Sequence, residues 1–228
     1  MKHKYTIVFF LFIIFFNTKG VFAQSNSLDW ELGVHGGPTL FWGDLSVAED
    51  NGEYLKKFTD DNNWSFGTNI EYRILPFAFL GGDFSYGQLE GIRDKYPAGN
   101  KLNQTFQGEY FDYSITFRLN INELVNGGKK NPFTVYLLGG IGHIHYRSIT
   151  HQLETGQYIN SVGYSNYGAN KEALKSQLRI PYGGGVKWNF SKRFNATLNT
   201  TVSWVNSDNL DATQGNTNIN DIYTYTSV

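Results

Sequence analysis

Alternation of polar and apolar residues is the feature of this sequence that most restricts its fold. From Tyr110 to Ile121, one face receives Phe111, Tyr113, Ile115, Phe117, Leu119 and Ile121, and the other receives Asp112, Ser114, Thr116, Arg118 and Asn120. A period of two residues sorts side chains in this way only in a β-strand. The same alternation recurs over residues 30–42, 64–74, 178–190 and 194–204, which predicts an all-β protein.

Three further strands are less regular. We expect two Gly-rich strands over Phe77–Leu89 and Phe133–Arg147, and a last strand that begins near Asp221. In the two Gly-rich strands we assign to the apolar face Leu80, Phe84, Tyr86, Tyr136, Leu138, Ile144 and Tyr146. The sequence therefore predicts about eight antiparallel strands.

The connections between these strands alternate in length. Leu75-Pro76-Phe77 and Ser191-Lys192-Arg193 are tight turns, whereas the links 46–63, 93–103, 150–175 and 206–220 are long and polar. Short periplasmic turns and long extracellular loops are typical of an outer-membrane barrel. The link Asn122–Asn131 is longer than a usual periplasmic turn.

The distribution of charges distinguishes a lipid-facing barrel from a soluble β-sandwich. We expect the charged face to line the lumen as a polar network of Glu31, Glu71, Arg73, Asp83, Asp112, Arg118, Arg147, Arg179 and Lys187. The opposite face is rich in rings, and five tryptophans near strand ends are predicted to form aromatic girdles, namely Trp30, Trp42, Trp64, Trp188 and Trp204. In a sandwich these large rings would pack against one another in the core, so the barrel is the better interpretation.

A barrel of eight strands has an interior only wide enough for side chains, which argues against a wide pore. Because an unpaired buried charge is costly, Glu71, Asp83 and Asp112 are expected to pair across strands with the cations of the network.

The chain begins like an exported protein. Lys2 and Lys4 precede an apolar run of 12 residues from Tyr5 to Phe16, and Val21-Phe22-Ala23 has the pattern of a cleavage site. We therefore expect a signal peptide over residues 1–23, a barrel domain over 24–228 and a mature charge of 16 minus 20, or −4, which makes nucleic acid an unfavourable partner. The chain has no cysteine, so stability must come from a closed sheet or a large core.

Two kinds of reactive site are alternatives to polar filling of the lumen. His143 and His145, with His35 across the lumen, have the chemistry of a metal site, and His145, Ser148 and His151 have that of a lipid-directed hydrolase. No carboxylate lies at a sequence spacing from these histidines that would indicate a metal site, and no nucleotide-binding motif occurs. Neither a metal nor a cofactor is therefore predicted.

Three stretches resemble known small outer-membrane barrels. Gly37-Pro38-Thr39-Leu40-Phe41-Trp42-Gly43-Asp44-Leu45 and Ile180-Pro181-Tyr182-Gly183-Gly184-Gly185-Val186-Lys187-Trp188-Asn189 are similar to the PorG-like proteins associated with type IX secretion. Pro132-Phe133-Thr134-Val135-Tyr136-Leu137-Leu138-Gly139-Gly140-Ile141-Gly142 resembles a strand of OmpA- and OmpX-like barrels. Such barrels end in a complete strand with a terminal aromatic assembly signal, so we expect the last strand here to be truncated.

The resemblance and the alternation lead to one functional hypothesis. We expect a non-enzymatic outer-membrane β-barrel of a Gram-negative cell envelope with a structural, scaffold or surface-interaction role, as an accessory of an envelope secretion system. Its expected partners are outer-membrane lipid, the barrel assembly machinery and other envelope or secretion proteins. A barrel enzyme acting on envelope lipid and a small-solute channel are the alternatives.

Overall fold

A computed structural model describes residues 29–43, 45, 62–95, 101–191, 193–213 and 220–228. The predicted signal peptide and most of the predicted loop 46–63 lie outside these residues. The described elements, in chain order, are β1 (Trp30–Trp42), β2 (Asn62–Leu75), β3 (Ala78–Lys95), β4 (Lys101–Asn120), α1 (Ile121–Val125), β5 (Phe133–Gln152), β6 (Tyr158–Val162), β7 (Tyr164–Ser165), β8 (Asn170–Lys171), β9 (Lys175–Asn189), β10 (Asn195–Val205) and β11 (Ile222–Ser227).

Eight of these strands close into an antiparallel ring in the order β1-β2-β3-β4-β5-β9-β10-β11, and β11 pairs back onto β1. The predicted fold class is therefore confirmed. Closure of the ring pairs backbone groups of β11 with both β10 and β1, and such pairing is what a sheet needs in order to cross a bilayer; in the described residues β11 reaches the C-terminal part of each of these two strands. β11 pairs with Thr39–Trp42 of β1 and with Asn199–Trp204 of β10.

One end of the barrel has short connections, as the sequence predicts. Two residues join β2 to β3, and five join β9 to β10, of which Lys192 is not described. The longer third link contains α1, in which the side chain of Glu123 accepts a hydrogen bond of 2.8 Å from Asn120 and is buried against β5. By the usual arrangement of outer-membrane barrels this is the periplasmic end.

Across the membrane-spanning part, the outward side chains are mostly apolar, and the inward ones are mostly small or polar, with buried rings such as Phe79 and Tyr136 among them. Outward rings form a lower aromatic belt of Trp30, Tyr72, Phe133, Trp188 and Phe190, and an upper aromatic belt of Trp42, Trp64, Phe66, Tyr86, Phe111 and Trp204. In the lower belt the Phe133 and Trp188 rings stack 5.9 Å apart. All five predicted girdle tryptophans thus lie on the outer face.

The predicted facing of β5 is wrong. Tyr136, Leu138, Ile144 and Tyr146 point inward, all but Leu138 almost fully buried, whereas His143 and His145 point outward. The Gly139–Gly142 segment has a side chain only at Ile141, so the alternation cannot be followed by eye across it. For Ile144 and Tyr146 the reason is that the polarity of the two faces reverses near the outer boundary of the membrane, where the exterior is wet and the interior is packed. Tyr136 lies near the lower belt, and its ring faces the lumen beside the guanidinium of Arg118.

β3, β4 and β5 continue well beyond the upper belt, and we call this part the extracellular extension: residues 88–95, 101–110 and 146–152 with β6 paired to β5. From Phe111 to Lys101 it rises roughly 25 Å, at 3.4 Å per residue and a tilt near 40°. The sequence predicted loops over much of this region, where the structure has paired strands.

An apolar cluster fills the barrel at this extracellular end. Its members are Phe41, Leu45, Leu89, Phe106, Tyr110, Ile144, Tyr146, Val205, Leu210 and Tyr223. Residues 206–213 lie across the opening and are held by hydrogen bonds, among them Thr150 to the carbonyl of Asp211 at 2.6 Å and Asn160 to that of Ala212 at 2.7 Å. The end of the lumen that faces the outside is therefore packed with side chains.

Candidate functional site

The lumen contains two separate charge clusters. Of the nine predicted lumen charges, eight point inward, and they comprise four carboxylates and four cations: Glu31, Glu71, Asp83, Asp112, Arg73, Arg118, Arg179 and Lys187. Equal numbers of the two signs allow the interior to be electrically balanced, which suits a space that holds few counter-ions.

The lower cluster lies towards the periplasmic end. Glu31 receives Arg118 at 2.7 Å and Lys187 at 2.6 Å, and Arg118 also contacts Glu71 at 3.0 Å. The ring of Phe79 lies among the cations, with the guanidinium carbon of Arg118 4.1 Å from its centre and that of Arg73 5.0 Å away. The shared ring supports these cations by cation–π attraction in addition to the carboxylates.

The upper cluster lies below the apolar cap. Arg179 contacts Asp112 at 2.6 Å and donates from Nε to Ser203, while the hydroxyl of Tyr223 donates to the other oxygen of Asp112 at 2.7 Å. Beside it, Asp83 pairs with His35 at 3.1 Å rather than with an arginine or lysine. A cavity of about 340 Å³ lies between the clusters, with His35, Glu71 and Arg118 among its lining residues.

Arg147 is the predicted lumen residue that the structure places elsewhere. It lies on the outer face of β5 in the extracellular extension, in an ion pair with Glu109 of β4. The reason is the reversal of polarity above the membrane, where the outer face is the solvated one. Glu109 is a site residue that the sequence analysis missed, although its position two residues before Phe111 on the same face marks the upper edge of the belt.

The predicted reactive residues are not brought together. Ser148 points inward and is fully buried, whereas His145 and His151 are on the outward face of the same strand. His35 lies inside the barrel, whereas His143 and His145 lie on its outer face. Among the described residues there is no group of three His, Cys, Asp or Glu residues that could hold a metal ion.

A hairpin over residues 163–172, which we call the surface hairpin, folds back onto the extracellular extension. It contains β7 and β8, and Lys171 donates a hydrogen bond of 2.9 Å to the Glu109 carboxylate, which also pairs with Arg147. Arg147 in turn donates to the backbone oxygen of Glu172 at 3.2 Å. The hairpin is thus attached to β4 and β5 by polar contacts just above the upper belt.

The charged groups at this attachment shift one another's pKa values. Partial burial would raise the pKa of Glu109, but the hydrogen bond from Lys171 and the charge of Arg147 outweigh it and lower that pKa below its usual range. The same hydrogen bond raises the pKa of Lys171. Attachment of the hairpin is therefore strongest when the carboxylate is ionised and the amine is protonated.

In the described part of the chain, no helix is both long and apolar enough to cross a membrane. No family model matches the sequence, and no curated protein is significantly similar to it.

Solved structures with a similar arrangement include Neisserial surface protein A, with 8% identity, coverage of 89% of this chain and 97% of that one, and a TM-score of 0.46. The attachment invasion locus protein Ail of Yersinia pestis, in complex with the heparin analogue sucrose octasulfate, has 14% identity, coverage of 88% and 96%, and a TM-score of 0.43. Closed strand pairing and an apolar band between two aromatic belts are the physical requirements for a β-sheet in a bilayer. The protein is a small outer-membrane β-barrel.

Proposed function

We propose that this protein is a non-enzymatic surface-interaction barrel whose contact element is the surface hairpin. The observation that carries the proposal is the extracellular extension, which holds this hairpin outside the membrane on a rigid, paired sheet. A barrel serving only as a pore needs neither strands that rise roughly 25 Å above the belt nor a packed outer end.

The tip of the surface hairpin holds an aromatic ring in an unfavourable backbone conformation. Asn166 and Tyr167 have φ angles of 50° and 56°, and the side chain of Tyr167 is 85% exposed. A bulky residue in the left-handed region is rare, and such strain costs about 1–3 kcal/mol and tends to occur at functional positions. The ring of Tyr158 contacts Tyr167 edge-on at 5.8 Å, so the exposed ring is supported from below.

Site-specific photo-cross-linking on intact cells tests the contact. A benzoyl-phenylalanine at position 167 is expected to form a covalent product with a partner protein, and the same group at position 182 is not. Tyr182 is a suitable control because it is also an exposed tyrosine but lies on the lipid face of β9. Equal products at both positions, or none at 167, would contradict the proposal.

Removal of the hairpin separates interaction from folding. The amide of Glu172 donates to the carbonyl of Gly163 at 2.9 Å, so a two-residue Asn-Gly turn can replace residues 164–171 without moving either end. We expect the shortened protein to keep its heat-modifiable mobility on a gel and to lose co-purification with the partner that the cross-link at position 167 identifies in the full chain. If the barrel no longer folds, the hairpin is structural and the proposed role fails.

An accessory role in type IX secretion, implied by the PorG-like motifs, is a narrower form of this proposal. It requires the captured partner to be a component of that system. Insertion by the barrel assembly machinery likewise stays a prediction, to be tested by depleting that machinery.

A further inference from the structure

Two histidines interrupt the otherwise apolar lipid face of the barrel. His143 and His145 point outward from β5, in a column that continues upward to Arg147. The neighbouring outward positions on β4 are Ile115, Tyr113 and Phe111, and those on β9 are Ser176, Leu178 and Ile180. Ionisable side chains within a membrane-facing surface are costly and mark functional positions.

The depth of the pair matches the boundary of the bilayer. Ten residues of β5 separate His143 from Phe133 in the lower aromatic belt. At 3.4 Å per residue and a tilt near 40°, His143 lies about 26 Å above Phe133, whereas the apolar band of such barrels is about 25 Å tall. The imidazoles are therefore at the level of the lipid head groups in the outer leaflet, and not in the hydrocarbon.

Aromatic neighbours hold the two imidazole rings in place, but no hydrogen-bond partner for them lies among the described residues. The ring of Tyr113 lies 6.0 Å from that of His143 and 5.6 Å from that of His145, and Phe111 lies 6.4 Å from His145. Within the described residues, neither imidazole has a hydrogen-bond partner in the protein. Their N–H groups are thus available to an acceptor outside it.

The region directly above the pair carries more positive than negative charge. Arg147 and Lys171 share the single carboxylate of Glu109, and the side chain of Lys171 is 59% exposed. In this contact two cations meet one carboxylate, so the contacting groups keep a positive charge.

From these observations we infer that His143, His145 and Lys171 form a site for the phosphate group of an outer-leaflet lipid. Phosphate oxygens would accept from the imidazoles and the ammonium group, and the acyl chains would lie along the apolar face beneath. This inference requires the membrane placement and the docked position of Lys171 in the surface hairpin, but no protein partner of that hairpin, so its failure is distinguishable from a missing protein partner.

Native mass spectrometry of the detergent-solubilised barrel tests this site, with diphosphorylated lipid A and the same lipid A without its phosphate groups as the two probes. The wild type should retain the phosphorylated lipid at least about tenfold more strongly, because hydrogen bonds to a charged group distinguish it. His143→Leu/His145→Leu should remove most of that preference. These substitutions suit a lipid-facing surface, and heat-modifiable mobility confirms folding. Lys171→Gln, outside the membrane, should weaken retention independently.

A matched control removes charge elsewhere. Lys129→Gln/Lys130→Gln, in the periplasmic link, takes away two exposed cations without changing the site, and retention should equal that of the wild type. Equal retention of the two lipids, or an unchanged preference in the leucine variant, overturns the inference. Competition by millimolar inorganic phosphate as effective as that by the lipid would also overturn it, since the site would then be one for a free anion.

Discussion

The buried pair of Arg179 and Asp112 allows a quantitative test of the charged interior. The two side chains are 3% and 1% exposed, and Asp112 also accepts a hydrogen bond from Tyr223. Replacement of Arg179 by Met leaves a buried carboxylate with only that neutral donor. Breaking one partner of a buried pair costs about 3–5 kcal/mol, so Arg179→Met should destabilise the barrel by that amount.

The double variant Arg179→Met/Asp112→Leu should be far less destabilised than the single one. Removing both charges eliminates the unpaired group, and such replacements are often neutral or stabilising. We therefore expect a coupling energy of about 3 kcal/mol from the double-mutant cycle. The measurement is reversible urea unfolding in lipid vesicles, followed by tryptophan fluorescence.

The pair of Arg147 and Glu109 provides the control, because it is also an arginine–carboxylate pair but lies on the outer surface. Arg147→Met should cost no more than about 1 kcal/mol. If Arg179→Met costs as little as Arg147→Met, or if the two changes in the inner pair are additive, the reasoning about a dry charged interior is refuted.

Three further predictions concern the extracellular end and the wall of the barrel. Because docking lowers the pKa of Glu109, the protein with a docked hairpin binds fewer protons than the protein with an undocked one. Attachment of the hairpin should therefore hold above the usual pH range of carboxyl titration and weaken as the pH falls through the lowered pKa of Glu109. The measurement is proteolysis of the hairpin, which should be faster at that low pH than at neutral pH. Ile144→Ala should destabilise the barrel by about 2–5 kcal/mol in urea unfolding, and Ile141→Ala, on the lipid face of the same strand, clearly less; equal effects would contradict the facing of β5. Gly142→Ala should lower the refolding yield, since its Cβ would clash with the backbone oxygen of Tyr113 on β4, whereas Gly139→Ala, with nothing within 4 Å, should refold normally.

Residue alternation alone was sufficient to predict the barrel. The ends of β1 coincide with the predicted segment 30–42, because in the membrane each side chain meets either lipid or lumen and the sequence must alternate accordingly. The balance of inward charges could also be predicted from the sequence, since four carboxylates and four cations lie on the non-apolar face of the alternating segments.

Only the tertiary structure decided which charges form pairs and where the apolar face of a strand turns from the outside of the barrel to its inside. Glu31 and Lys187 are far apart in sequence, and closure of the ring brings them within 2.6 Å. On β5 the apolar face turns from outside to inside at the level of the upper belt, because the surroundings of the barrel change there from lipid to water while the interior becomes packed. That boundary depends on the position of the strand in the bilayer, which no local pattern contains, and it explains why Arg147 lies outside the barrel and Ile144 inside.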